Sequence, residues 1–278
     1  MKRGNKERIA KKNGADIPKE KSVIVVYIIL RILVLGVLIR CIFLRQWESV
    51  FTCLLTLVLL MLPTIIERSL KINLPSALEI TALVMVFCAE ILGEIGSYYV
   101  KVKIWDTAMH TTSGFMFAAF GFCIVDLMNR SKNIRMELSP ATLAVVAFCF
   151  SMTIGVLWEF FEFGVDQILH HDMQKDFLIN SIHSVALDPT KTNTVIHVND
   201  IVSTVITTAS GETVTMSGYL DVGIIDTMKD LLVNFIGALV FSVLGFFYVK
   251  HRGKGKIAPK FIPVIVNEEN SGEKVEQK

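Results

Sequence analysis

Charge is scarce in this chain: only 19% of its 278 residues are Asp, Glu, Lys or Arg, while 52% are hydrophobic. Soluble domains carry about 25% charged residues, and a mean hydropathy of +0.53 places this chain in lipid rather than water. The period-two alternation of a membrane β-barrel is missing, which leaves helices as the form that satisfies its backbone in a bilayer. Paired metal spacing such as Cys-x2-Cys is missing too. The five cysteines, Cys41, Cys53, Cys88, Cys123 and Cys149, all fall in apolar runs and read as small buried hydrophobes without disulfides. There is no HExxH, no GxSxG and no phosphate-cradling loop, so no motif names a reaction. No clear internal repeat argues for a repeat-built transporter, and nothing implies a nucleic-acid partner.

What is present is six apolar runs: Val23 to Leu44, Val50 to Ile66, Ser76 to Tyr98, Trp105 to Met128, Ala141 to Val165 and Ile224 to Val249. A hydrocarbon layer of about 30 Å needs about 20 helical residues at 1.5 Å each. The expected fold is therefore all-α, a polytopic membrane bundle of about six transmembrane helices. The first run follows a charged stretch and is longer than a signal-peptide core, so it reads as an uncleaved anchor. The second is the shortest, and Pro63 leaves its end open. The organisation is a basic tail over 1–21, five spans over 22–166, a polar segment over 167–223, a sixth span over 224–250 and a polar tail over 251–278. That last tail is expected to be disordered.

Lys and Arg set the orientation. With the N-terminus inside, the inner segments carry eighteen of the flanking positive residues and the outer ones five (Arg45, Lys101, Lys103, Lys175, Lys191), which favours both termini in the cytoplasm. The segment 167–223 then lies outside. Within it "TVITTASGETVTMSG" sets two β-rich runs about Ser210-Gly211, the pattern of a hairpin.

Lipid disfavours ionisable residues, yet four runs carry them in pairs. The third has Glu90 and Glu94, the fourth Asp106 and His110, the fifth Glu159 and Glu162, and the sixth Asp226 and Asp230 with Asn234 beyond. Each pair is three or four residues apart, on one helical face. Counting at 1.5 Å per residue places Glu90 roughly 21 Å and Glu94 roughly 27 Å from the inner edge. The other pairs reach the same outer third. His110 is the one histidine within a span. Single acids at helix ends are often solvated, and Asp126 reads that way, but four pairs at one depth point to a shared polar site.

Seven carboxylates cannot all ionise in one poorly solvated space, because like charges about 4 Å apart repel by about 4 kcal/mol at an effective dielectric of 20. Shared protons, a bound divalent cation or basic partners must offset them. Arg40 reaches the same depth and is the best internal partner, with Lys229 a second and Arg31 deeper. Asp106, His110, Glu159, Glu162 and Asp230 form a ligand set suited to hard or borderline metals. Gly93, Gly96, Gly114, Gly155, Gly164 and Gly237 offer small surfaces for close helix approach, while Trp105 and Trp158 read as interface anchors.

The succession "EILGEIGSYY", "WDTAMHTTSG", "LWEFFEFGVDQIL" and "DTMKDLLVNFIGA" resembles the YjdF-like family of uncharacterised bacterial inner-membrane proteins. The Asp-x3-His element, and Asp230, Asn234, Gly237 and Ala238, are also similar to VanZ-like membrane proteins. The resemblance covers roughly residues 25 to 250 and implies a bacterial plasma-membrane protein without lending it a chemistry.

Three functions stay open. One is a membrane enzyme whose catalytic groups are drawn from Glu90, Asp106, His110, Glu159, Glu162, Asp226 and Asp230, using a divalent metal or acid–base chemistry on a lipid-linked or cell-envelope substrate. The second is a proton- or cation-coupled transporter, against which the confinement of acids to the outer third argues. The third is a structural or regulatory envelope protein.

Overall fold

Pro63 decides where the second span breaks. It has no N–H and its ring clashes with the carbonyl four residues back, and the helix that begins at Trp47 ends at Leu59. In the computed structural model, which describes residues 20–70, 72–130, 138–251 and 264–265, this span is two successive pieces, α2 (Trp47–Leu59) and α3 (Leu62–Leu70). The basic N-terminal tail, the residues carrying Lys132 and Arg135, and most of the C-terminal tail lie outside the described residues.

Six segments are long and apolar enough to cross a membrane: Lys21–Phe43, Trp47–Ser69, Ser76–Ile95, Trp105–Asp126, Pro140–Leu169 and Ile224–Lys250. They match the six runs of the sequence. The first is α1 (Lys21–Phe43). The third begins as α4 (Ser76–Phe87) and widens into a π-helix over Cys88–Ile95. A left-handed Ser97 (φ 59°) then turns the chain into the short α5 (Tyr98–Lys101). α6 (Trp105–Arg130), α7 (Pro140–Leu169) and α8 (Ile224–Lys250) complete the set. Pro140 opens α7 where a missing N–H does no harm, and Ser139 Oγ accepts the Thr142 N–H at 3.2 Å as its cap. At 30 residues α7 is about 45 Å long, so it outruns the hydrocarbon layer.

Packing divides the bundle. α6, α7 and α8 pack against one another along their lengths, while α1, α2 and α4 with its π-helical end form a second group. Phe122, Phe241, Leu143, Ala118, Ala119 and Ala147 centre the first core, and Val34, Cys53, Leu60 and Leu83 the second. α4 contacts both α1 and α6 and so joins the groups.

The polar segment after α7 is built of short strands: β2 (Leu178–Ile179), β3 (Ile182–Ser184), β4 (Ile196–Val198), β5 (Ser203–Thr207), β6 (Thr213–Ser217) and β7 (Tyr219–Leu220). The hairpin expected about Ser210-Gly211 is β5–β6, in register from Ser203↔Ser217 to Thr207↔Thr213, with Gly211 at φ 86° in its turn. Around it β3 pairs with β4 and β2 with β7. One further pairing departs from the sequence reading. β8 (Val264–Ile265), inside a tail expected to be disordered, runs antiparallel to β1 (Ile72–Asn73) between the second and third spans.

Carboxylates hold this segment on the helix ends. Asp166 accepts the N–H groups of Met173 (2.6 Å) and Gln174 (2.9 Å), and Asp221 accepts those of Phe177 (2.6 Å) and Ile225 (2.9 Å). Farther out, Asp188 accepts the backbone N–H groups of Thr190, Thr192 and Thr194 and the hydroxyls of Thr190 and Thr192. The bond from the Thr190 side chain, with the backbone bonds, holds the Asp188 carboxyl well below the usual carboxylate range. A depressed folded pKa means that its contribution is fully present above the ordinary carboxylate value near pH 4 and is lost only in stronger acid. Asp188→Ala is therefore expected to loosen residues 188–194, where Lys191 is exposed with φ 55°. Trypsin should nick the variant after Lys191 several-fold faster than the wild type at pH 7.5; equal rates would show that the strands alone hold the loop.

Candidate functional site

The ends of α6, α7 and α8 nearest the polar segment bring three of the four acidic pairs together. His110 Nε2 lies 3.5 Å from Asp106 Oδ1, one turn back on α6, and 3.8 Å from Asp230 Oδ2 on α8. His110 Nδ1 lies 4.0 Å from Glu159 Oε1 on α7. One ligand-type atom from each of Asp106, His110 and Asp230 falls within 4.8 Å of the others. Asp230 is 1% exposed and Glu159 4%, and Asp230 Oδ1 and Glu159 Oε2 are buried with no hydrogen-bond partner. A buried carboxylate oxygen without a donor is costly, so the cluster is incomplete by itself.

The donor set fits a divalent ion. Ligand atoms around an ion with bonds of about 2.1 Å lie about 3.0–3.5 Å apart, and the separations about His110 Nε2 are within a few tenths of that. Two carboxylates and an imidazole suit a hard or borderline ion. Glu159, beside the other ring nitrogen, stands where an outer carboxylate fixes the orientation of a ligating histidine.

Other acids have separate employment. Glu162 accepts the Trp158 indole N–H at 2.8 Å, so Trp158 is more than an interface anchor. Asp226 is buried and accepts the Lys175 N–H at 3.0 Å, which ties the polar segment across the mouth of the bundle. Gln174 Nε2 donates to Thr227 Oγ1 at 2.6 Å beside it.

Below the cluster the helices close in. Asn234 is buried one turn under Asp230, its Nδ2 3.4 Å from Met152 Sδ. A Cβ on Gly155 would sit 2.6 Å from that nitrogen, and one on Gly114 would sit 2.8 Å from Asn234 Oδ1. Ser151 Oγ donates to the Gly114 carbonyl at 2.7 Å. Deeper still comes the apolar layer of Ala118, Ala119, Phe122, Ala238 and Phe241. Gly164, by contrast, faces open space and packs against nothing.

Three expectations need correcting. Arg40 lies on an exposed face of α1, which packs on α2 and α4, and it makes no ion pair with the cluster among the described residues. Arg31 stacks on Tyr27, 4.3 Å from the ring centroid, away from the cluster as its greater depth implied, whereas Lys229, 5.5 Å from the Phe177 ring, acts electrostatically on Asp226 and His110 as the sequence reading allowed. Asp126 is not a solvated end residue but is buried, as are Glu67 and Glu79, so buried acids are not confined to the outer third. Arg40→Gln is accordingly expected to change stability by no more than about 0.5 kcal/mol; a melting loss of several degrees that a second Glu→Gln change recovers would restore Arg40 to the network.

The Glu90 and Glu94 pair stands apart. Glu90 is half-buried and Glu94 exposed on the π-helix. Between this pair and the cluster stands Tyr99, a residue that no sequence pattern marked, whose ring covers Gly93. Burial, then Asp106, Glu94, Glu90 and Glu162 around it, push the Tyr99 phenol well above its ordinary value. Trp105, 4.8 Å from Tyr98 in an edge-on contact, has a buried Nε1 without a partner.

Residues 24–251 match a family described as predicted membrane proteins (DUF2238). The chain belongs to that family. It is also 28% identical over 107 residues to an uncharacterized protein of Thermotoga maritima, covering 38% of this chain and 53% of the relative, so the chain spans about half the length of that protein. No solved structure matches. Membership agrees with six apolar helices, and the relative agrees with a bacterial origin.

Proposed function

We propose that this protein is a plasma-membrane enzyme whose outward-facing centre, at the ends of α6, α7 and α8, works with a divalent cation on a lipid-linked or cell-envelope substrate. The observation that carries the reading is the convergence of Asp106, His110 and Asp230 on one point, with Asp230 Oδ1 buried and unsatisfied. A bound divalent ion would supply Lewis acidity and a water of lowered pKa. The chain's own groups would do the rest. Asp106, His110 and Asp230 would hold the ion, while Glu159, with a partnerless Oε2, would orient His110 and accept a proton. Glu162, fixed by Trp158, would border the headgroup. Phe160, Phe161 and Phe163, exposed on α7 beside the buried Glu159 and Glu162, offer an acyl chain a path along the outside of the bundle. The YjdF-like and VanZ-like resemblances belong to this reading, since Asp106, His110, Asp230 and Asn234 are among the residues that carry them.

A transporter would use the same groups, and buried Glu67, Glu79 and Asp126 toward the opposite end would suit one. The packed Phe122 and Phe241 layer between the two ends favours a site with a single mouth. Orientation is part of the proposal: reporters fused after Asn133 and Lys254 should report cytoplasm and one near Asn193 the outside, and a cytoplasmic signal at Asn193 would turn the site inward.

Elemental analysis of untagged protein in nanodiscs tests the metal. The wild type is expected to hold about one equivalent more of a divalent ion than His110→Ala or Asp230→Asn. A metal-free wild type that still loses its cellular phenotype in both variants would leave proton chemistry; variants that behave normally in cells would end the enzyme reading.

A further inference from the structure

A second cluster of ligating side chains lies outside the bundle. His183 on β3 and His197 on β4 are direct cross-strand partners, with Ile182↔Val198 and Ser184↔Ile196 on either side. Residues directly opposite on antiparallel strands project to one face of the pair. Both imidazoles are exposed, their rings are 4.7 Å apart at 60°, and their Nδ1 atoms are 2.9 Å apart.

That separation has a chemical meaning. Two nitrogens bound to one ion at about 2.05 Å each subtend about 90° when they are about 2.9 Å apart, the angle between neighbouring ligands in octahedral or square-planar complexes. Imidazole is the side chain that nickel, copper and zinc favour in such sites. A Nδ1 donating to the other Nδ1 accounts for the distance in the ion-free pair, and a modest ring rotation turns both lone pairs toward a shared ion. The two strands already set the spacing, so little ordering is needed on binding. Two ligands leave the remaining positions to water, as suits an exposed exchangeable site rather than a structural one.

We propose that His183 and His197 form a surface chelate for a borderline transition-metal ion, of the nickel, copper or zinc class, distinct from the intramembrane cluster. Bound metal would staple β3 to β4 and so close the connection that runs from Val185 to Val195. The site is independent of the activity proposed for His110 and Asp230.

The test is calorimetric titration of untagged full-length protein in nanodiscs with nickel chloride. Wild type should bind an equivalent that His183→Gln and His197→Gln each lose, that His171→Gln retains and that His110→Ala also retains. Nickel should in addition slow tryptic cleavage after Lys191 in wild type and leave it unchanged in His183→Gln. Wild type that binds no more nickel than His183→Gln would overturn the proposal. So would an equivalent that disappears in His110→Ala while surviving in His183→Gln, since the ion would then belong to the intramembrane cluster. Both histidines are exposed on short strands, so a melting curve matching wild type is expected for each variant and keeps a lost equivalent from being mistaken for misfolding.

Discussion

Gly237→Ala is expected to remove most folded protein from the membrane, although it adds one methyl group. A Cβ at Gly237 would run into the Thr111 carbonyl of α6 and lie 2.9 Å from the Phe115 nitrogen. Both obstacles are backbone, so no rotamer change can clear them, and α6 and α8 must move apart. Over-packing of this kind typically costs about 1–3 kcal/mol, and more when backbone must shift. Here it would also part the helices that carry His110 and Asp230. Gly164→Ala is the control: nothing lies within 4 Å of that position, and a helical Gly→Ala change should stabilise by about 0.5–1 kcal/mol. Detergent melting should move in opposite directions for the two variants. Equal, small shifts would mean that the α6–α8 approach is looser than its geometry, and that the close-packed seam does not hold the site.

This contrast shows what the sequence could and could not reveal. Hydropathy located all six spans, because a bilayer demands an unbroken apolar run and little else matches one. Pro63 left only the end of the second span open; that the span breaks between Leu59 and Leu62 is a finding of the structure. Depth was readable from residue counts, which is why Asp106, His110, Glu159 and Asp230 could be placed at one level. Rotation about each helix axis was not. Arg40 has the right height and the wrong azimuth, and counting cannot tell these apart. Gly164 and Gly237 look alike in the sequence for the same reason. The π-helix over Cys88–Ile95 adds residues per turn, so the phase read from a 3.6-residue period drifts, and Glu94 emerges exposed. Asp226 was legible as an acid near the mouth, but its bond to the Lys175 backbone depends on a loop return that no local pattern encodes. Tyr99 lies in the short turn between spans, where periodicity has nothing to say.

The second large effect should be a reversal in which protein is more stable, wild type or Asp230→Asn. Asp106, Glu159, Glu162, Asp226 and Asp230 act electrostatically on one another across the cluster, and Arg40 does not reach them. Like charges about 4 Å apart repel by about 4 kcal/mol at an effective dielectric of 20, so the ion-free site works against folding. Replacing Asp230 with Asn removes one acid that must otherwise be charged or hold a shared proton, keeps the side chain's shape and lets an amide N–H face Asp106. In chelator, Asp230→Asn should therefore melt above the wild type. With a divalent ion at about 100 times its Kd, binding stabilises the wild type by about 2.7 kcal/mol, and the order should invert because the variant has lost a ligand. His110→Ala should lose the ion-dependent gain without gaining stability in chelator, since it deletes the imidazole that the carboxylates surround. Two other outcomes are informative. A wild type indifferent to both ion and chelator would argue that shared protons, not a cation, hold the carboxylates together. A variant less stable under both conditions would show that Asp230 is a packing partner of Asp106, and the site would then be glue between α6 and α8 rather than a centre for chemistry.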